Sequence, residues 1–143
     1  MTTQDYNKQE MESRTFEYPM IIREFHLDTF GHVNNATYLE IYEEARWQFI
    51  TENGYGLKEI KTTGLGPVIL DIRIRFIKEL KLREAITIFS KTTAYHSKVG
   101  TIQQWIIDSK GNKCSDVEMS IGLFDTTARK LVKPTPEWLK AIC

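Results

Sequence analysis

The chain reads as α+β, one long helix held by an antiparallel curved sheet of about five strands. Three observations predict this. One segment, Ala36 to Asn53, repeats apolar residues at three- and four-residue steps. One segment before it and four after it are rich in branched and aromatic residues, with alternation clearest around Ile72, Ile74 and Phe76. The helix is also apolar around so much of its girth that a flat neighbour would not cover it, whereas a curved sheet would.

Residues 1–14, "MTTQDYNKQEMESR", have few apolar side chains and no clear period, so a flexible extension is expected there, with residues 15–143 forming one domain. "TFEYPMIIREFH" (Thr15–His26) reads as the first strand. Pro19 lacks an N–H and argues for an edge position or a bulge. In the helix, Tyr38, Ile41, Tyr42, Ala45 and Phe49 form one face, and Leu39, Trp47 and Ile50 widen it. Glu40, Glu43, Glu44, Arg46 and Gln48 read as its wet side. Asn34 or Asn35 is a good N-cap and Gly54 a good terminator. The remaining strands are "GPVILDIRIRFIKEL", "EAITIFSKTTAYHS", "VGTIQQWIIDS" and "KCSDVEMSIGLFDTTARKLV". The last two join through "DSKGNK", where Gly111 suits a left-handed turn position. "PTPEWLKAI" closes the chain as a short helical cap with Pro136 at its start and Trp138 as anchor.

Composition excludes several function classes. Nineteen basic and nineteen acidic residues cancel, so no global field draws the protein to nucleic acid or an anionic membrane. No apolar run approaches the ~20 residues a spanning helix needs, and the polar amino terminus has no targeting character, so a cytoplasmic protein is expected. Cys114 and Cys143 make neither a disulfide framework nor a metal-ligand spacing. Gly-rich phosphate loops, HExxH, CxxC and GxSxG are all missing.

What remains is the polar stretch "DTFGHVNN" at the mouth of an apolar helix. Asp28 followed three residues later by Gly31 is an ordinary type I turn. It also puts a carboxylate just ahead of a helix N-terminus, where free N–H groups can polarise a carbonyl oxygen. A carboxylate and an oxyanion site on one carbon would make an acyl-transfer centre. The two readings are compatible, since the turn would aim the carboxylate. His32 reads as a base, a substrate donor or a structural hydrogen bond. Arg73, Arg75, Lys78, Lys81 and Arg83 are the main basic concentration, facing either water or the phosphates of a large anionic group. His96, Lys98 and Lys91 read as a solvated strand end, with phosphate binding the alternative.

"FHLDTFGHVNNATYLEIYEEAR" resembles the opening motif of the 4-hydroxybenzoyl-CoA thioesterase-like family of hotdog-fold acyl-CoA thioesterases. The pattern D-x-x-G-H-V-N-N-x-x-Y-L-x-x-x-E-x-A-R is present at every position. "LDIRIRFIKELKLRE" looks like the family's second strand and turn, so the likeness runs from about Phe16 to Asp125. The resemblance implies a hotdog fold and two subunits joined edge to edge, as a homodimer or homotetramer, with active sites at their interface. It implies hydrolysis of an acyl-CoA, or of an acyl-carrier-protein thioester, with no cofactor beyond the coenzyme A of the substrate and no metal. Asp28 falls on the catalytic aspartate and Asn35 on the residue whose backbone N–H binds the thioester oxygen. His32 and Asn34 fall on positioning sites. Tyr38 and Tyr42 are expected to line the acyl tunnel, and Lys78, Lys81, Arg83 and Lys98 to meet coenzyme A by charge. One departure is His26, where many members carry aspartate or threonine. The other readings are a non-catalytic acyl-thioester binder and, last, an enoyl-thioester hydratase, whose Asp and His stand five apart rather than the four of Asp28 and His32.

Overall fold

The computed structural model describes residues 12–143. Most of the extension expected over residues 1–14 therefore lies outside the described residues. Arg14 is held: its backbone N–H donates to the Cys143 carbonyl at 2.8 Å, and its guanidinium reaches the Lys140 carbonyl at 3.0 Å.

Strands β1 (Thr15–Ile21), β2 (Leu65–Phe76), β3 (Ala85–His96), β4 (Val99–Asp108), β5 (Lys113–Asp125) and β6 (Lys130–Val132) form one antiparallel sheet. Its order is β1-β3-β4-β5-β2, with the short β6 pairing with β5. The first strand stops at Ile21, not His26, because the chain turns through a 3-10 segment at Glu24–His26. β1 is an edge strand, as Pro19 requires.

Helix α1 (Asn35–Glu52) crosses the inner face of the sheet, about 27 Å long at 1.5 Å per residue. Asn34 is the N-cap, its side chain accepting from the Ala36 N–H at 2.9 Å. Asn53 is the C-cap, and Gly54 follows with φ +92°, a conformation a side chain would resist. Tyr38, Ile41, Tyr42, Ala45, Phe49 and Ile50 pack on inward residues of the sheet such as Ile88, Ile102, Ile106 and Met119. Each isoleucine, phenylalanine or methionine among them is worth roughly 1.5–3 kcal/mol when fully buried.

Arg46 corrects the reading of the helix's wet side. It is only 8% exposed, and its Nη1 donates to Gln104 Oε1 at 3.0 Å. Gln104 in turn donates to the Tyr42 carbonyl and to Ser90 Oγ, so the cation is held by a buried polar network. Its position four residues after Tyr42 and three before Phe49 puts it on the buried face. His96 is half-buried, with its Nδ1 out of solvent.

Residues 55–65 show no period that predicts an element, yet helix α2 (Leu57–Thr63) forms there, ending at Gly64 with φ +72°. Helix α3 (Pro136–Ile142) caps the far end of α1, as expected from Pro136 and Trp138. No described helix is long and apolar enough to cross a membrane.

Candidate active site

The polar stretch folds as a tight loop on the N-terminal end of α1. Leu27 and Val33 form an isolated antiparallel bridge, and within it the Asp28 N–H donates to the His32 carbonyl at 2.8 Å. Gly31 donates back to the Asp28 carbonyl at 3.0 Å, closing the turn with φ +77° at the glycine. Asp28 Oδ1 accepts the N–H groups of Phe30 at 2.9 Å and His32 at 3.1 Å. The turn thus fixes one carboxylate oxygen and leaves Oδ2 with no protein donor among the described residues.

Asn35 is the first residue of α1. Because Asn34 and the Asn35 side chain both serve the Ala36 N–H, the Asn35 backbone N–H has no acceptor among the described residues. Asn35 lines a cleft of about 350 Å³ together with Val33, Tyr38, Phe76, Ile77, Lys78 and Glu79. The Tyr38 and Phe76 rings meet edge-on at 5.0 Å in its wall. A helix start with a free N–H, opening on an apolar cleft, is suited to a carbonyl oxygen that gains negative charge.

The residues singled out in the sequence are only partly brought together. Asn35, Tyr38 and Lys78 share the cleft. Asp28 stands beside it, one bridge away from Val33, and is not in its wall. His32 Nε2 lies 3.5 Å from Glu79 Oε1, and Glu79 is itself a lining residue that sequence reasoning does not find. Tyr42 sits one turn deeper, fully buried with its hydroxyl beside Ser115, and borders none of these clefts. Burial pushes that phenol far above its ordinary pKa, keeping it neutral.

Lys98 stands apart from the cleft within one subunit. It lies in the turn between β3 and β4, whereas the Asn35 cleft lies at the Ala85 end of β3. The eleven steps of about 3.3 Å along this twelve-residue strand separate those ends by roughly 36 Å, too far for a pocket shared within one subunit. Lys78 and Arg83 both have partners: Asp108 Oδ2 at 3.0 Å and Glu24 Oε1 at 2.5 Å. The Asn112 N–H of the hairpin first, and then Lys78, hold the Asp108 carboxyl far below the usual carboxylate range. A second hollow, about 330 Å³ among Arg73, Arg75, Trp105 and Glu118, has no helix terminus in its wall, and its Arg75 pairs with Asp116. Among the described residues, no group of three or more His, Cys, Asp or Glu is placed to hold a metal ion.

The model of the thioesterase-like superfamily matches residues 24–142, nearly the whole described chain. The chain belongs to that superfamily. It is 31% identical over 110 residues to the long-chain acyl-CoA thioesterase FadM of Escherichia coli, spanning 76% of this chain and 83% of FadM. The solved YbaW probable thioesterase of Escherichia coli superposes with a TM-score of 0.76 at 28% identity, over 87% of this chain and 94% of that one. A Staphylococcus aureus hypothetical protein solved with CoA has a TM-score of 0.84 at 17% identity, over 94% and 85% of the two chains. At that identity the likeness is one of fold. The superfamily fold is the hotdog, with α1 inside the curved sheet, and here the sheet has six strands where about five were expected.

Proposed function

We propose that the protein hydrolyses acyl thioesters of coenzyme A or of an acyl-carrier protein. The observation that carries this reading is the unpartnered Asn35 N–H at the start of α1, opening on the Tyr38–Phe76 cleft beside a turn-held aspartate. The thioester carbonyl oxygen sits on the Asn35 N–H. Asp28, through its unfixed oxygen, either attacks the carbonyl carbon or takes a proton from the water that does. Charge moves onto the carbonyl oxygen, where the helix end stabilises it. The C–S bond then breaks, and the thiolate leaves and takes up a proton. On the direct route the carbonyl carbon keeps the oxygen of the attacking water. On the nucleophilic route it is left as an anhydride with Asp28, which a water molecule hydrolyses to free the acid and the carboxylate. The pair of products is a free acid and a thiol. No metal is called for, because a thiolate is already a good leaving group. His32 and Asn34 position this centre, His32 through its N–H on Asp28 and Asn34 as the cap of α1.

Two copies joining through β2 complete the site in this reading. β2 is a twelve-residue edge strand with Ile69, Leu70 and Ile72 exposed. Phe30 (83% exposed), Phe76 and Ile77 continue that apolar surface to the mouth of the cleft. An open edge of this length is a template for pairing with another strand. A partner seated there would bring a wall to the side of the cleft where Asp28 stands.

The experiment is thiol release from acyl-CoAs of rising chain length, with calorimetric binding in parallel. Turnover of any member supports the hydrolase and names its acyl class. Tight binding with no release from acyl-CoA or acyl-carrier protein would instead make the protein a binder.

A further inference from the structure

Lys78 lines a hollow on either side of it, the Asn35 cleft and one other. Beyond that lysine lies a second concavity of about 250 Å³, lined by Lys78, Lys81, Leu82, Arg83, Glu84 and Lys110. The two share Lys78, which makes them neighbours along this end of the sheet.

A single buried group builds this second concavity. The Asp108 side chain is completely buried at the end of β4. Its Oδ1 accepts the N–H groups of Lys110 at 3.0 Å and Asn112 at 2.8 Å. Its Oδ2 accepts Lys78 Nζ at 3.0 Å and Asn112 Nδ2 at 3.3 Å. One carboxylate therefore ties the β4–β5 hairpin, which carries Lys110, to the segment after β2 that carries Lys78 and Lys81. The charges are unequally matched. Lys78 is paired with Asp108 and Arg83 with Glu24, while the Glu84 carboxylate accepts the Lys81 backbone N–H at 3.1 Å. The ammonium groups of Lys81 and Lys110 have no carboxylate partner among the described residues, and both side chains are exposed. Two loops, pinned to one another, each present an unmatched cation to the same hollow. Leu82 supplies an exposed apolar surface between them.

We infer that Lys81 and Lys110 bind the phosphates at the nucleotide end of a coenzyme A thioester, with the pantetheine arm passing Lys78 to reach Asn35. The inference rests on the thioesterase reading of the Asn35 cleft and narrows it. The carrier is a soluble nucleotide thiol, not a carrier protein, whose arm bears one phosphate and whose own surface would have to meet this end of the sheet. Phosphate–ammonium contacts are charge-assisted hydrogen bonds and discriminate strongly against a ligand that lacks the phosphates. Asp108 is a positioning residue here, acting through the hairpin and Lys78.

The test compares one acyl group carried on coenzyme A and on N-acetylcysteamine, which keeps the thioester and lacks the nucleotide. The wild type, Lys81→Ala/Lys110→Ala and a charge-matched control, Lys61→Ala/Lys140→Ala, are assayed, with folding checked by circular dichroism. The control residues lie on α2 and α3, away from the hollow. In Lys81→Ala/Lys110→Ala, the ratio of kcat/KM for the coenzyme A substrate to that for the truncated one should fall about tenfold or more, through KM, the scale of one charge-assisted hydrogen bond. The control pair should keep the wild-type ratio. Calorimetric titration with free coenzyme A tests the same contacts independently of turnover, the double variant binding at least tenfold more weakly. An unchanged ratio and unchanged coenzyme A affinity would overturn the inference. So would an equal loss in the control pair. Absence of turnover in the wild type would count against the thioesterase reading, and coenzyme A binding would still decide this one.

Discussion

The two ends of α1 are built to opposite standards. At the C-terminal end, α3 packs Trp138 fully out of solvent, edge-on to Tyr55 at 5.5 Å. Its indole N–H donates to the Tyr95 hydroxyl, Asn53 Nδ2 donates to the Ala141 carbonyl at 2.9 Å, and Thr92 Oγ1 donates to the Ile142 carbonyl at 2.7 Å. At the N-terminal end, Phe25 (77% exposed) and Phe30 stand in solvent, a 350 Å³ cleft is open, and the Asn35 N–H is unserved. One end uses its polar groups to close the fold. The other holds its polar groups in place and leaves them unsatisfied, which is what a site for a charged transition state needs.

That contrast can be broken from either side. Trp138→Ala removes the largest buried side chain of the closed end and should cost ~3–5 kcal/mol in urea unfolding, with activity per folded molecule largely retained. A loss of activity without a loss of stability would mean that the closed end takes part in the chemistry. Asn34→Ala removes the cap at the open end and should cost about 1 kcal/mol. It should also lower kcat, because the first turn that presents the Asn35 N–H frays, and a variant with full kcat would show that the cap is structural alone.

The smallest effect concerns neither end. The Asp116 carboxyl is held at about 2 by the Arg75 guanidinium first and Lys113 second, against partial burial. A depressed carboxylate contributes stability that is fully present above the ordinary carboxylate range and lost as the pH falls from about 4 towards 2. The denaturation midpoint gap between wild type and Asp116→Asn should therefore be widest near neutrality and close in that window. A gap independent of pH would place the effect in packing.

Much of this architecture is legible in the residues. Asn34 and Gly54 bracket α1, whose observed ends fall within one residue of the expected Ala36 to Asn53, and Gly111 at φ +83° marks the hairpin. Four strands follow from branched and aromatic runs. α2 escapes such a reading because seven residues give too little period to recognise, and its cap, Gly56, carries no side chain to signal it. Arg46 reads as wet when its charge is weighed above its spacing, though its offsets from Tyr42 and Phe49 put it on the buried face. For the site, the motif marks Asp28, His32, Asn34 and Asn35 as a group, because they are neighbours in the chain. Lys98 joins the other basic residues by charge alone, and a strand length separates it from them. Asp108 and Lys110 show in the sequence only as part of a turn, since the contact of Asp108 with Lys78 joins residues thirty positions apart.

The most direct test of the open end is Asp28→Asn, which keeps the shape and the acceptor for the Phe30 and His32 N–H groups while removing the charge. Thiol release and melting temperature are measured on the same preparation. A reactive carboxylate at Asp28 predicts a loss of at least about a hundredfold in kcat, comparable to or above that of one oxyanion donor, with the melting temperature within a few degrees of wild type. Wild-type turnover in Asp28→Asn would contradict it, and the reactive carboxylate would have to be sought elsewhere.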